Sequence, residues 1–247
     1  MKVSALKTER IIAGQITLIE LLDKYLDNFL ENSVLVITSK VVSICENRVV
    51  PIGSVDKETL LKQESSYYLP GTFSKYNYHF SVTNNTLIAF AGIDTSNGNG
   101  YYILWPSDSF GISNDVREYL LKRFNIKNAG VLIVDSSSSP MRIGTIGIAL
   151  GFSGFKPLND YIGQPDLFGK PFALSRANVA GGLASSAVLV MGEGVEQTPL
   201  AIIEDVPFVE FVQRSPTKEE LATMQTSIDD DLYGPFLSKV EWLKGDR

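Results

Sequence analysis

A chain of 247 residues with 44% apolar and 20% charged residues is long enough to bury a substantial core and has the composition of an ordinary soluble protein. Its net charge of −6 and isoelectric point of about 4.9 weigh against a broad electrostatic footprint for nucleic acid or for an acidic membrane surface. With one cysteine, Cys45, and one histidine, His79, an intramolecular disulfide and a cysteine-rich zinc site are excluded, and zinc by histidine or Ser-His catalysis is poorly supported.

Residues 1–10 lack the apolar core of a secretion signal, and no run approaches 18 uninterrupted apolar residues, so the expectation is a cytoplasmic protein with no membrane partner. Residues 17–31 repeat apolar positions three and four apart and predict an amphipathic helix. Residues 34–38 predict a buried strand, Ser39 to Arg48 a turn or short helix, and Val49-Val50 another strand. Residues 56–68 read as a helix, and residues 70–85, rich in Gly, Ser, Asn and aromatics, as a connection. His79 lies there among Tyr76, Tyr78 and Phe80, where packing in an aromatic cluster is the favoured reading. A strand is expected near 86–92, a helix over 113–124 capped by Ser113 or Asn114, and a strand at 130–135. The alternating small and apolar residues of 143–152 suit a strand that another backbone approaches closely. Residues 177–191 predict a buried helix, 198–203 a strand, and Ser215-Pro-Thr-Lys-Glu-Glu a capped helix start.

Three of these apolar elements end in an acid. Val131-Leu-Ile-Val-Asp135-Ser-Ser-Ser-Ser139 delivers one carboxylate and four hydroxyls to a strand's carboxyl end, where open α/β sheets build their sites. Thr86-Leu-Ile-Ala-Phe-Ala-Gly-Ile-Asp94-Thr-Ser-Asn97 repeats that logic, and Val188-Leu-Val-Met191-Gly-Glu193-Gly194 closes an apolar segment with an acid between glycines. Any one such acid more often caps a helix or binds a turn's N–H groups. Asp94, Asp135 and Glu193 together, with the Ser136 hydroxyl, have the hard oxygen donors that Mg²⁺ or Mn²⁺ takes. No glycine pattern forms a dinucleotide or P-loop fingerprint.

From about residue 32 to 205 the chain resembles the coenzyme F-420 γ-glutamyl ligase family. The resemblance is carried by Ser39, Val42-Ser43, Glu46 and Arg48; by Ala91-Gly-Ile-Asp-Thr-Ser-Asn97; by Val134-Asp135-Ser136 with Arg142 and Gly144; by Gly147 to Gly154; and by Asp160-Tyr-Ile-Gly163, Asp166-Leu-Phe-Gly169 and Met191-Gly-Glu-Gly194. It implies metal ligands at Asp94, Asp135, Ser136 and Glu193, and nucleotide contacts at Ser39, Lys40, Asn97 and the loop Met191, Gly192, Glu193 and Gly194. It further implies GTP as co-substrate, L-glutamate and a carboxylate-bearing acceptor of deazaflavin type as partners, and a homodimer. Arg142 is the candidate catalytic residue, able to grip transferred phosphate or a substrate carboxylate bidentately, or else to form a salt bridge. The expected fold is mixed α/β in two interwoven lobes, 84–192 forming the central one and 1–83 with 193–247 the other.

The chain also departs from that pattern. Ile44 stands where a nucleotide-associated lysine is usual, Ser139 where an arginine is, and Gly181-Gly182 where two acids are. The proline-containing nucleotide loop near the N-terminus is replaced by residues 8–12. Two other readings therefore stand beside a metal- and GTP-dependent γ-glutamyl ligase: a folate-type glutamyl ligase, and a homologue that binds a nucleotide or metabolite without catalysis.

Overall fold

The computed structural model describes residues 1–247. The first third of the chain forms β1 (Lys2–Leu6), α1 (Leu18–Tyr25), β2 (Ser33–Thr38), α2 (Ser39–Cys45), β3 (Val49–Pro51), α3 (Lys57–Glu64) and β4 (Tyr67–Tyr68). Then come β5 (Phe80–Thr83), β6 (Thr86–Ala89), a 3-10 turn at Phe90–Gly92, β7 (Tyr101–Ile103), α4 (Ser109–Phe124), β8 (Ala129–Ser138) and β9 (Thr145–Ser153). The remainder forms β10 (Leu158–Asp160), β11 (Arg176–Asn178), α5 (Val179–Met191), β12 (Leu200–Glu204), α6 (Lys218–Thr223), α7 (Gly234–Leu237) and β13 (Leu243–Lys244). The fold is mixed α/β, as the sequence predicts. No helix is long and apolar enough to cross a membrane.

The chain passes repeatedly between two compact units. One comprises Met1–Arg10, Ile19–Ser39 and Asp108–Met224, and the second comprises Ile11–Leu18, Lys40–Ser107 and Gln225–Arg247. These bounds differ from the expected division at 84–192, because hydrogen bonding gathers remote segments into one sheet. β2 pairs with β8 and β12, and β12 pairs with β1.

The first unit is built on a five-stranded sheet in the order β1-β12-β2-β8-β9. Only β2 and β8 are parallel, and both are buried along nearly their whole apolar length, as central parallel strands require. The buried positions of α5, Val179, Ala180, Leu183, Ala184, Ala187, Val188 and Met191, follow helical spacing and pack into one core with Val34, Val36, Leu132 and Val134. The close backbone approach read from residues 143–152 is present. A Cβ on Gly147 would lie 2.3 Å from the Ala184 carbonyl oxygen, and one on Gly151 would lie 2.3 Å from that of Ser109.

The second unit contains the four-stranded sheet β13-β4-β5-β6 and the pair β3-β7. Its small core joins Leu60 and Leu61 of α3 to Ala91, Ile93 and Leu104. Arg48 ties this core together, with Nε donating to the Trp105 carbonyl at 2.9 Å and the guanidinium pairing with Glu64.

Several elements differ from expectation for identifiable reasons. The helix read over 17–31 stops at Tyr25, and the chain then turns to bury Phe29 against Phe124, ring centroids 6.1 Å apart. α4 starts four residues before Ser113, because the Asp108 carboxylate accepts the Gly111 N–H at 2.9 Å and caps the helix there. The connection read over 70–85 holds β5, whose inward residues are Ser81 and Thr83, so its polar pattern is inverted. Ser81 satisfies its buried hydroxyl by donating to the Ile88 carbonyl and accepting from the Ala91 N–H. The helix start at 215–220 is capped by Thr217, with Glu220 closing a capping box.

Candidate functional site

The carboxyl ends of the two central parallel strands lie side by side. Their last paired residues are Thr38 and Val134, so Ser39 and Asp135 each stand one step beyond the same pair. Ser39 opens α2 and is buried. The sequence places a strand end at Asp135, but β8 continues through Ser138 against β9, pairing Asp135 with Ile148 and Ser136 with Gly147. The polar run is therefore an overhang of β8 past β2, flanked on one side by β9. A register shift between Ile133 and Val134 introduces an extra residue, Leu150, in β9 just before this overhang. Such bulges re-aim the side chains that follow them. Asp135 is half-buried, and its Oδ1 accepts the Ser136 N–H at 2.8 Å.

In the other unit Asp94 is the centre of a dense local network. Its backbone exchanges hydrogen bonds with Ile103. Its Oδ1 accepts the N–H groups of Thr95 at 2.6 Å and Ser96 at 2.7 Å, and its Oδ2 accepts the Ser96 hydroxyl at 2.9 Å. Lys40 Nζ lies 2.6 Å from the same Oδ2 and also donates to the Ser96 carbonyl and hydroxyl, each at 3.0 Å. Burial pushes the Asp94 carboxyl up, but Lys40 and the Ser96 N–H outweigh it and hold the pKa below the ordinary aspartate value. Asn97 follows with φ +54, a left-handed position that asparagine tolerates.

The third acid lies in the loop after α5. Met191 is buried, Gly192 caps the helix at φ +82 with its N–H donating to Val188, and Glu193 is exposed. Glu196 organises this loop and was not among the predicted site residues. Its carboxylate accepts the Gly194 N–H at 2.8 Å, and a side chain on Gly192 would run into it, with a Cβ 2.5 Å from the carboxyl carbon. The signal available in sequence is an acid two residues after a glycine, a spacing at which a side chain can reach back to a main-chain N–H.

Arg142 sits in the exposed turn between β8 and β9, next to Met141 at φ +60, and its guanidinium donates to the Met141 carbonyl at 3.1 Å. Ile44 is buried within α2. At the start of α5, Asn178 accepts the Gly181 N–H at 2.8 Å, and Gly182 faces open space. His79 packs against Phe90, centroids 5.4 Å apart, as the aromatic surroundings predict. Asp135, Ser136, Glu193 and Ser39 thus belong to one unit, and Lys40, Asp94 and Asn97 to the other. Within neither unit do three His, Cys, Asp or Glu side chains gather to hold a metal ion.

By sequence the chain falls in a known class of enzyme, the ligases. The sequence profile of the F420-0:Gamma-glutamyl ligase family matches residues 6–205, and the chain belongs to that family. It is 30% identical over 219 residues to the coenzyme F420:L-glutamate ligase of Methanococcus maripaludis, covering 80% of this chain and 85% of that one. The proteins of the same description from Methanothermobacter thermautotrophicus and Archaeoglobus fulgidus are 27% and 37% identical. The former alignment covers 74% of this chain and 78% of its relative, and the latter 46% and 45%.

Proposed function

We propose that this chain is a metal- and GTP-dependent γ-glutamyl ligase that joins L-glutamate to a carboxylate of a deazaflavin or related acceptor. The observation that carries the reading is the placement of Ser39 and Asp135 at one level on adjacent strand ends, within residues matched by the ligase family. We assign metal-ligating roles to Asp94, Asp135, Ser136 and Glu193. Nucleotide-binding roles go to Ser39, Lys40, Asn97 and Met191 to Gly194.

Hard carboxylate and hydroxyl oxygens suit Mg²⁺ or Mn²⁺, and the ammonium of Lys40 at Asp94 Oδ2 marks an oxygen that already keeps a cation within 2.6 Å. A divalent ion there supplies charge neutralisation for the nucleotide's phosphates. An oxygen of the acceptor carboxylate attacks the γ-phosphorus and GDP leaves, giving an acyl phosphate. The glutamate amine then attacks the acyl carbon, phosphate leaves, and the amine loses a proton as the C–N bond forms. Arg142, at an exposed turn and in no ion pair, is assigned to an oxyanion of substrate or of transferred phosphate.

The homodimer reading is supported by large exposed apolar side chains in the first unit: Met141, Ile143, Leu167, Phe168, Leu174 and Leu189. A cytoplasmic setting accords with the single free thiol, Cys45, which burial pushes up to about 11 and so keeps protonated.

The test is GTP hydrolysis coupled to glutamate addition over a panel of deazaflavin and folate-type acceptors, with Mg²⁺, with Mn²⁺ and with chelator. Turnover should require the metal, and Asp135→Asn should lower it at least about a hundredfold, the scale of losing a group that stabilises transition-state charge. Unchanged turnover in Asp135→Asn removes the mechanism. A second reading, binding without catalysis, is favoured by the full set of hydrogen bonds and the ion pair that Asp94 already makes. GTP binding by calorimetry with no product from any acceptor would select it.

A further inference from the structure

The unit that carries Asp94 holds a second lysine whose surroundings break local rules. Lys57 is the first residue of α3, fixed there by Asp56, whose carboxylate accepts the Thr59 N–H at 2.9 Å. A cation at that end of a helix opposes the peptide dipoles. Its side chain is half-buried, and it joins no ion pair. The ammonium instead stands 4.0 Å from the centre of the Phe90 ring. Phe90 and Ala91 are consecutive non-glycine residues in the left-handed region, at φ +52 and +54. Backbone of that kind is strained for a residue with a side chain, and it recurs where a ligand is positioned. α3 packs through Leu60 and Leu61 onto Ala91 and Ile93, the residues that lead into Asp94, so Lys57 and Asp94 stand on neighbouring segments of one small core, and burial lowers the Lys57 pKa.

Lys40 is already engaged by Asp94 and Ser96, and Ile44 is an apolar core residue. The Thr95 and Ser96 N–H groups also point at Asp94. Lys57 is thus a cation in this neighbourhood that no ion pair engages. We propose that Lys57 is an oxyanion-binding residue of the Asp94 site, contacting a phosphate or carboxylate group of a substrate. The identity of that substrate rests on the ligase reading. The Phe90 ring, 4.0 Å from the ammonium, holds it in place until the oxyanion arrives, and the left-handed turn at Phe90 and Ala91 sets the position of the ring.

The experiment is acylation of lysine amines in the intact chain, read residue by residue by mass spectrometry, with inorganic tripolyphosphate, GTP with Mg²⁺, or L-glutamate as protectant. Tripolyphosphate and GTP should slow modification of Lys57 about tenfold if the group is a phosphate, and L-glutamate alone if it is a carboxylate, while Lys24, which pairs with Glu9, should be unaffected. Lys57→Met should raise the Kd for GTP or the KM for glutamate by a similar factor, with Lys57→Arg restoring most of it and thermal unfolding unchanged in both. Unaltered Lys57 reactivity with all three protectants, together with wild-type affinities in Lys57→Met, overturns the proposal. Protection by tripolyphosphate in a protein that forms no glutamyl bond would uphold this site and remove the ligase reading. Glutamyl transfer at the wild-type rate and KM by Lys57→Met would remove the site and uphold the ligase.

Discussion

Arg117 buries an N–H that the first unit does not satisfy. It is 5% exposed, its Nε has no hydrogen-bond partner, and burial pushes its pKa down. Its stem lies against Gly154, where a Cβ would fall 2.8 Å from Cδ. A buried N–H left without an acceptor costs about 1–3 kcal/mol, so an apolar residue of similar length should be better tolerated than the native one. Arg117→Met is expected to raise unfolding stability by about 1–2 kcal/mol in urea titrations. A loss of stability instead would mean that the guanidinium finds an anion in solution. That Asp94, Asp135 and Glu193 each follow an apolar run and precede small polar residues is plain in the sequence. The contacts of Glu196, of Lys40 with Asp94 and of Lys57 are not, since they depend on which backbone and which ring the fold brings to them.

At the scale of elements, α5 gives two glycine tests of opposite sign. Gly147 of β9 meets the main chain of α5, and a methyl there would overlap a carbonyl oxygen that cannot rotate away. Gly147→Ala should therefore cost about 1–3 kcal/mol. Gly182, within α5 and with nothing within 4 Å of an added Cβ, should respond in the other direction, Gly182→Ala adding about 0.5–1 kcal/mol through helix propensity. Thermal or urea unfolding of both variants checks the pair. If Gly182→Ala is stable but loses turnover, the glycine serves the substrate side of the site. The apolar periodicity of β2, β8 and α5 made them readable, whereas β5 was hidden by inward Ser81 and Thr83. The start of α4 was misplaced because Asp108 lies before an unhelical-looking Ser-Phe-Gly.

For the whole molecule, the exposed side chains of Leu167, Phe168 and Leu174 are 97%, 95% and 88% accessible, apolar groups of the kind that a partner surface covers. The homodimer reading predicts that sedimentation gives twice the mass of one chain and that Leu167→Glu with Phe168→Glu gives one. A monomeric wild-type protein at micromolar concentration would refute the homodimer reading. The mixed α/β class was legible from the alternation of strands and helices. The strand order was not, because composition does not reveal that residues 33–38 and 200–204 are neighbours in one sheet.

The strand order of the first unit also governs how the chain is made. β2 lies between β12 and β8, both synthesised after it, and β1 has β12 as its neighbour. On the ribosome, the apolar segment Ser33–Thr38 emerges with no hydrogen-bonding companion and waits for β8 and then β12 before its edges close. Such long-range pairing slows folding and leaves sticky backbone open to other chains, so production of this protein should depend on chaperones that shield a nascent strand until its last partner has been translated.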